Sequence, residues 1–399
     1  MFNRYSTITS FSPSLTGIDK QLVKWLCENV GYQNSAQNGG ILLSGGSLSN
    51  YYGILCARHV KLKEPENYHK GIVYCSDQSH CSVMRGACLA GIPKKNIRYL
   101  KTSLQNDFDL DYQELEKTIE KDLETNEGIP FLMICNVGTT NTGKIENLNE
   151  FLRIARKFNL WLHGDSCYAG NYTVLEKYKE KYFKNLGEFD SISIDPHKGL
   201  FCAYGLGAFL IKEWKILWNT FSFKNEEIGY YPSSSEFCDD LLNDKLLADY
   251  FDMGLENSRD YKALKLWLPL QIVGVNSFKA YLEEKLVLAE FLFEELKKIN
   301  NLEIISHKFT VVVFRYKNEN LGDAIEEINA VNKEFLIKIN SFGKVCISQT
   351  FLKDQRFETL MYVCRACVIC VRTHKKEVLE LIEEIKNATE FINLKYENE

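Results

Sequence analysis

The chain has 399 residues, 45% hydrophobic and 25% charged, the balance of a soluble globular enzyme with ample apolar material for a large core. Its net charge of -5 offers no electrostatic attraction to nucleic acid or to an acidic membrane, and no run of about 18 apolar residues is present to span a bilayer. The opening MFNRYSTITSFSPSL lacks the basic-then-apolar order of a signal peptide, and 13 irregularly spaced cysteines fit a reducing cytoplasm better than a disulfide framework.

Thr16 is placed to cap a helix whose apolar positions Ile18, Leu22, Trp25 and Leu26 share one face. A polar loop over 34–40 leads into GILLSGGSLSNYYGILCAR, residues 40–58, which reads as a strand, a tight small-residue turn and a helix beginning near Ser47. Gly45 and Gly46 have no Cβ and let backbone approach an anion closely. The amides and dipole of the helix start favour the same anion. Gly46 and Ser47 are therefore candidates for a phosphate seat, against the plainer reading of an ordinary strand-to-helix turn. No lysine follows the glycines, so this is not a Walker loop.

Residues 71–90, GIVYCSDQSHCSVMRGACLA, repeat the plan, with Val73 and Tyr74 in the strand and a helix over 83–90. His80 stands at the loop-to-helix junction, where side chains reach the cleft at the ends of parallel strands. There it can stack on a ring or move a proton; the simpler role is a helix-start residue bonded to local backbone. FLMICNVGTT, residues 131–140, reads as a buried strand and a turn that offers Thr139 or Thr140 to a ring or a phosphate. A helix over 148–158 follows. LWLHGDSCYAG, residues 160–170, then ends an apolar strand on Asp165. A carboxylate there is costly to bury without a cation, and a protonated pyridine nitrogen is one such cation. Hydrogen bonds from a nearby loop are the alternative.

In DSISIDPHKGL, residues 190–200, a β-branched strand over 191–194 stops at Pro196, and His197 and Lys198 follow at once. Desolvation there is expected to keep the lysine partly neutral. A neutral amine condenses with an aldehyde, which is how pyridoxal phosphate is tethered as a Schiff base. Taken alone, the H-K pair is more simply a surface lysine. Ser47, His80, Thr139 or Thr140, Asp165 and Lys198, however, each follow a strand. Together they supply a phosphate seat, a ring stacker, a ring-nitrogen partner and an imine-forming lysine, and pyridoxal phosphate is the common cofactor that needs all four. The polar stretch 214–252 contains Tyr230 and Tyr231, and SRDYKALKLWLPLQIVG starts a helix into a smaller domain. An amphipathic helix over 286–296, strands over 310–316 and 362–371, and a charged closing helix over 377–391 complete the pattern. Cys364, Cys367 and Cys370 read as buried free cysteines without a fourth ligand, so no metal is expected. Arg365 is equally at home in the site or in a structural role.

The stretches SPSLTGIDKQLVKWL, SGGSLSN, SDQSHCSV, GTTNTG, WLHGDSCYAG, DSISIDPHKGL and SRDYKALKLW resemble, in order across nearly the whole chain, the group II pyridoxal phosphate-dependent amino-acid decarboxylases, aromatic-L-amino-acid branch. The resemblance implies an α/β chain of fold type I, in which a large domain with a mainly parallel sheet flanked by helices is joined to a smaller C-terminal α/β domain. The corresponding boundaries are 1–39 for an N-terminal helical segment, 40–270 for the cofactor domain and 271–399 for the small domain. It implies that Lys198 carries the cofactor, Asp165 pairs with the pyridine nitrogen and His80 stacks on the ring. Gly46 and Ser47 would hold phosphate, with Asp195 and His197 close by, and Arg259 matches the family, a structural ion-pair partner being its simpler role. Tyr230 or Tyr231 would be the loop tyrosine that returns a proton after CO2 leaves; a phenylalanine there is associated with aldehyde-forming relatives. The expected enzyme is a cytoplasmic homodimer with its active site at the subunit interface, acting on an amino acid and on neither nucleic acid nor membrane.

Three departures bear on the pocket. The helical segment that precedes SPSLTGID in the aromatic branch is almost wholly missing, Gly199 stands where that branch has tryptophan, and GDSC replaces VDAA, which puts Cys167 near the ring. The alternatives are an aldehyde synthase or carbon–carbon lyase on the same scaffold, a non-catalytic cofactor-binding protein, or a plain scaffold.

Overall fold

The structure is a computed structural model that describes residues 5–222, 248–318, 324–341 and 343–396. The chain divides into two units, the first made of Met1–Leu100, Tyr112–Val137 and Glu146–Val275, and the second of Lys101–Asp111, Gly138–Ile145 and Asn276–Glu399.

In the first unit, short apolar runs bounded by turn residues become β1 (Gly39–Leu43), β2 (Gly71–Ser76), β3 (Ile97–Leu100), β4 (Ile129–Asn136), β5 (Trp161–Asp165), β6 (Ser191–Ile194) and β7 (Gly207–Ile211). They form a seven-stranded sheet in the order β1-β7-β6-β5-β4-β2-β3. The pairs β2 with β3, β2 with β4, β4 with β5 and β5 with β6 are parallel; β7 runs antiparallel to both of its neighbours. β1, β2, β5, β6 and β7 are buried along their whole length, as strands covered on both faces must be. The sheet is mainly parallel, as the resemblance implies.

The helices of this unit are α1 (Pro13–Val30), α2 (Gly46–Leu62), α3 (Cys81–Leu89), α4 (Tyr112–Thr125), α5 (Leu148–Lys157), α6 (Glu176–Tyr182), the single turn α7 (Pro196–Gly199) and α8 (Trp214–Phe221). Ile54, Leu55 and Ala57 of α2 join Val73, Phe131, Ile134, Trp161 and Phe209 in one apolar cluster. Burying each large side chain there contributes about 1.5–3 kcal/mol. α1 begins earlier than expected: Pro13 is its first residue, Ser12 is its cap, and the Thr16 hydroxyl donates back to the Ser12 carbonyl at 3.1 Å. The buried stripe of α1 includes Asp19, whereas Ile18 is only partly covered.

α9 (Leu264–Leu296) contains Pro269 and is interrupted at Gly274, whose φ of 78° lies in the left-handed region that favours glycine. In the second unit β8 (Leu302–Lys308), β9 (Val311–Tyr316), β10 (Ser348–Leu352) and β11 (Met361–Cys367) form an antiparallel sheet of four strands in the order β10-β11-β9-β8. Leu292 and Leu296 pack with Phe314, with Phe335 of α10 (Ile325–Ser341) and with Ile382 and Ile385 of α11 (Lys375–Tyr396). β11 stops short of the expected residue 371: Cys364 is buried on it, Cys367 ends it, and Cys370 lies beyond it and is exposed. Among the described residues no His, Cys, Asp or Glu group is arranged to hold a metal ion, and no helix is long and apolar enough to cross a membrane.

Candidate active site

β6 ends at Ile194, and Pro196 starts a helical turn with the φ that a first helical position needs. Asp195 holds the cap position but makes no capping bond; its Oδ2 faces Lys198 Nζ, one turn on, at 2.9 Å. Burial works against the Lys198 ammonium, yet the Cys167 sulfur, Asp195 and Asp165 outweigh it and hold its pKa above the ordinary lysine value. This corrects the expectation of a partly neutral amine, because a carboxylate from its own turn offsets the desolvation. His197 Nδ1 accepts from the Leu206 amide at 3.3 Å, and its Nε2 lies 3.8 Å from Asp195 Oδ2.

α2 begins on Gly46 immediately against this turn. A Cβ on Gly46 would lie 2.2 Å from Cys167 Sγ and 2.8 Å from Asp195 Oδ2. The residue is therefore glycine because the loops after β5 and β6 close against it. The amides of Gly46 and Ser47 have no preceding turn to accept them, a geometry that favours an anion. Cys167 donates to Ser193 Oγ at 3.2 Å, and burial, aided by Asp165 and Asp195, pushes its thiol well above the ordinary value. Asn171 Nδ2 joins the two loops, donating to the carbonyls of Cys167, Tyr168 and Asp195 at 3.3, 3.1 and 3.1 Å. A Cβ on Gly199 would lie 2.6 Å from Asn171 Cβ, so this packing leaves no room for a large side chain at 199.

Asp165 ends β5, buried, and its Oδ2 accepts from Asn50 Nδ2 at 2.8 Å. Oδ1 takes the Cys167 amide at 3.4 Å. Among the described residues it has no ion-pair partner, so a buried charge is oriented by neutral donors alone. His80 is exposed and caps α3: its Nδ1 accepts from the Ser82 amide at 3.2 Å and lies 2.8 Å from Ser82 Oγ. Ser82 Oγ is in turn 3.0 Å from Asn50 Nδ2. Lys198, Asp195, His197, Gly46 and Cys167 thus meet at one point, and Asn50 joins Asp165 to His80.

Thr139 and Thr140 belong to the second unit, where the Thr139 and Thr142 hydroxyls are 2.9 Å apart. Arg365 also lies there, on β11. Tyr230 and Tyr231 lie outside the described residues. Sequence reasoning missed Asn50, Ser82, His163 and Ser193. A signal for His163 was present, since it and Asp165 alternate onto one face of a strand.

A family model described as the pyridoxal-dependent decarboxylase conserved domain matches residues 3–317. The chain belongs to the pyridoxal-dependent decarboxylases. The cofactor of this decarboxylase is therefore pyridoxal phosphate and its reaction the loss of CO2 from an amino acid, a carboxy-lyase activity. It is 30% identical to an aromatic-L-amino-acid decarboxylase of Bacillus atrophaeus over 99% of this chain and 78% of that one. It is 28% identical to a phenylacetaldehyde synthase of a Rosa hybrid cultivar over 92% of this chain and 72% of that one. The crystal structure of Catharanthus roseus tryptophan decarboxylase in complex with L-tryptophan superposes with a TM-score of 0.84 at 24% identity, covering 98% of this chain and 78% of that chain, and so shares the fold.

Proposed function

We propose that this decarboxylase releases CO2 from an aromatic L-amino acid to give the amine, with Lys198 carrying the cofactor. The observation that carries the assignment of residues is Asp165: a buried carboxylate held by neutral donors and in no ion pair among the described residues fits a protonated pyridine nitrogen. When bound, pyridoxal phosphate supplies an electron sink for the bond to the departing carboxylate. Asp165 would hold the proton of the ring nitrogen, Gly46 and Ser47 would offer their amides to the phosphate, and His80 would lie against the ring. Cys167 lies under Gly46 and would limit the space beside the ring. Lys198 must shed a proton before it acts as a nucleophile, and the Asp195 contact at 2.9 Å governs when it does so. Tyr230, Tyr231 or His80 would return a proton to the substrate carbon.

The aromatic preference is supported by relatives named aromatic-L-amino-acid decarboxylase in Bacillus atrophaeus and tyrosine decarboxylase 2 in Arabidopsis thaliana. The phenylacetaldehyde synthase relatives favour a second reading, an aldehyde product from the same substrates. The free state of every described cysteine supports a cytoplasmic setting. A homodimer is the further reading, supported by the exposed apolar side chains of Tyr204, Leu268, Ile272 and Val273. Borohydride reduction of the holoenzyme followed by peptide mapping is expected to place the label on Lys198, with Lys198→Ala unlabelled and inactive. Near wild-type turnover by Lys198→Ala would overturn the assignment. Mass spectrometry of the product then separates amine from aldehyde.

A further inference from the structure

We propose that Asn50 is the positioning residue of this site: its amide fixes the Asp165 carboxylate toward the ring nitrogen and, through Ser82, sets His80 as the tautomer with its proton on Nε2. The inference rests on the reading of Asp165 and His80 as cofactor-facing.

A carboxylate only accepts, so the 2.8 Å contact with Asp165 Oδ2 must come from the Asn50 amide N–H. This fixes which way the amide points. Asn50 Oδ1 then accepts from Ser193 Oγ at 2.7 Å and from His163 Nε2 at 3.1 Å, which puts the His163 proton on Nε2. His163 Nδ1 is left to accept from the Ser191 hydroxyl at 2.8 Å, and Ser191 Oγ accepts from Trp161 Nε1 at 2.9 Å. The second amide hydrogen of Asn50 goes to Ser82 Oγ at 3.0 Å. With its lone pair so used, the Ser82 hydroxyl points its own hydrogen at His80 Nδ1, 2.8 Å away, and His80 keeps its proton on Nε2.

Backbone geometry converges on this amide. Asn50 lies one turn after Gly46 on α2, and Gly53 lies a turn further on, where a Cβ would fall 2.5 Å from His163 Nδ1. His163 and Asp165 of β5 are register partners of Ser191 and Ser193 of β6, and all four are buried. Asn50 is itself buried at 1% exposure, so leaving any of its partners unpaired is costly. A neutral amide orients Asp165 without cancelling its charge, which a guanidinium in the same place would do.

The test uses holoenzyme labelled with 15N-histidine, assigned with His80→Gln and His163→Gln. Both rings are expected to hold a proton on Nε2, and His163 to be neutral at pH 7. A proton on His80 Nδ1, or a charged His163, overturns the inference. Ser82→Ala, which loses the hydroxyl but keeps the backbone N–H on His80 Nδ1, is expected to weaken the His80 tautomer preference and leave His163 alone. Asn50→Ala is expected to disturb both, to move the pH at which the cofactor's visible band changes, and to lower kcat about 10–100-fold with KM little altered, the scale at which supporting partners of a site act. A folded Asn50→Ala protein with wild-type kcat and spectral titration overturns it too. If that variant fails to fold, the wild-type tautomers and Ser82→Ala decide. Impairment by Asp165→Ala and His80→Ala but not by Asn50→Ala sinks this inference alone, whereas wild-type turnover in all three sinks the cofactor-facing reading with it.

Discussion

Asp19 and Asp165 are both buried in the first unit, and the chain answers their charges differently. Asp19 meets a full positive charge: Arg259 Nη1 donates to its Oδ2 at 3.0 Å, Arg259 Nη2 donates to the Leu42 carbonyl at 2.9 Å, and the guanidinium lies 4.4 Å from the centre of the Tyr250 ring. Burial still lifts Asp19 above the ordinary carboxylate range, with Arg259 pulling the other way. Among the described residues, Asp165 receives only an amide side chain and a backbone N–H. One carboxylate is closed by its own cation and ties α1 to the sheet; the other is aimed but left with its charge to spend on a ligand. Arg259 thus has the structural ion-pair role that was the simpler reading of its match to the family.

The largest expected effect separates the two directly. Asp165→Ala should lower the rate of CO2 release about 10²–10⁴-fold, the range for a group that governs a proton at the reacting centre, while its urea midpoint stays near wild type. Arg259→Met should do the reverse, costing about 3–5 kcal/mol of stability by stranding a buried carboxylate. Its activity per folded molecule should be nearly unchanged, and adding Asp19→Leu should recover most of the loss.

His163 gives a third contrast, because it is buried with no charge at all. Burial lowers its pKa from 6.5 to about 4, so between those values the unfolded chain binds a proton that the folded chain refuses. Stability is therefore expected to fall by about 3 kcal/mol as pH drops through that window, and His163→Gln should flatten this part of the curve in pH-dependent denaturation. The smallest effect belongs to an exposed pair. Lys24 and Glu28 lie 3.9 Å apart with side chains 54% and 55% exposed, and Glu28→Ala should change the midpoint by less than about 0.5 kcal/mol.

The strands that carry the site were legible because buried parallel strands are continuous apolar runs and each ends on a small or polar turn. SISIDPHK and LWLHGD therefore pointed to Asp165 and Lys198 without any pairing information. Asn50 was not legible, since its partners lie on β5, β6 and α3, and only the β5–β6 register sets His163 beside Ser191 and Asp165 beside Ser193. The charge state of Lys198 was misread although the spacing of Asp195 and Lys198 already allowed the contact. In the second unit β8 and β10 escaped notice because neither buries a continuous face: only Thr350 and Leu352 of β10 are covered.

The chain passes between the two units at residues 100, 111, 137, 145 and 275. Two segments made early, Lys101–Asp111 and Gly138–Ile145, thus find their partners in sequence made late. Gln105 bonds Asp354 across 249 positions, and Asn141 accepts from Thr350 across 209. During synthesis these loops have only contacts such as Lys144 with Asp107, 3.0 Å apart, until the last part of the chain has left the ribosome. Closing such long loops is slow. A nascent chain stopped near residue 275 would display both segments unclaimed, which makes them a natural place for chaperones or proteases to inspect an unfinished copy.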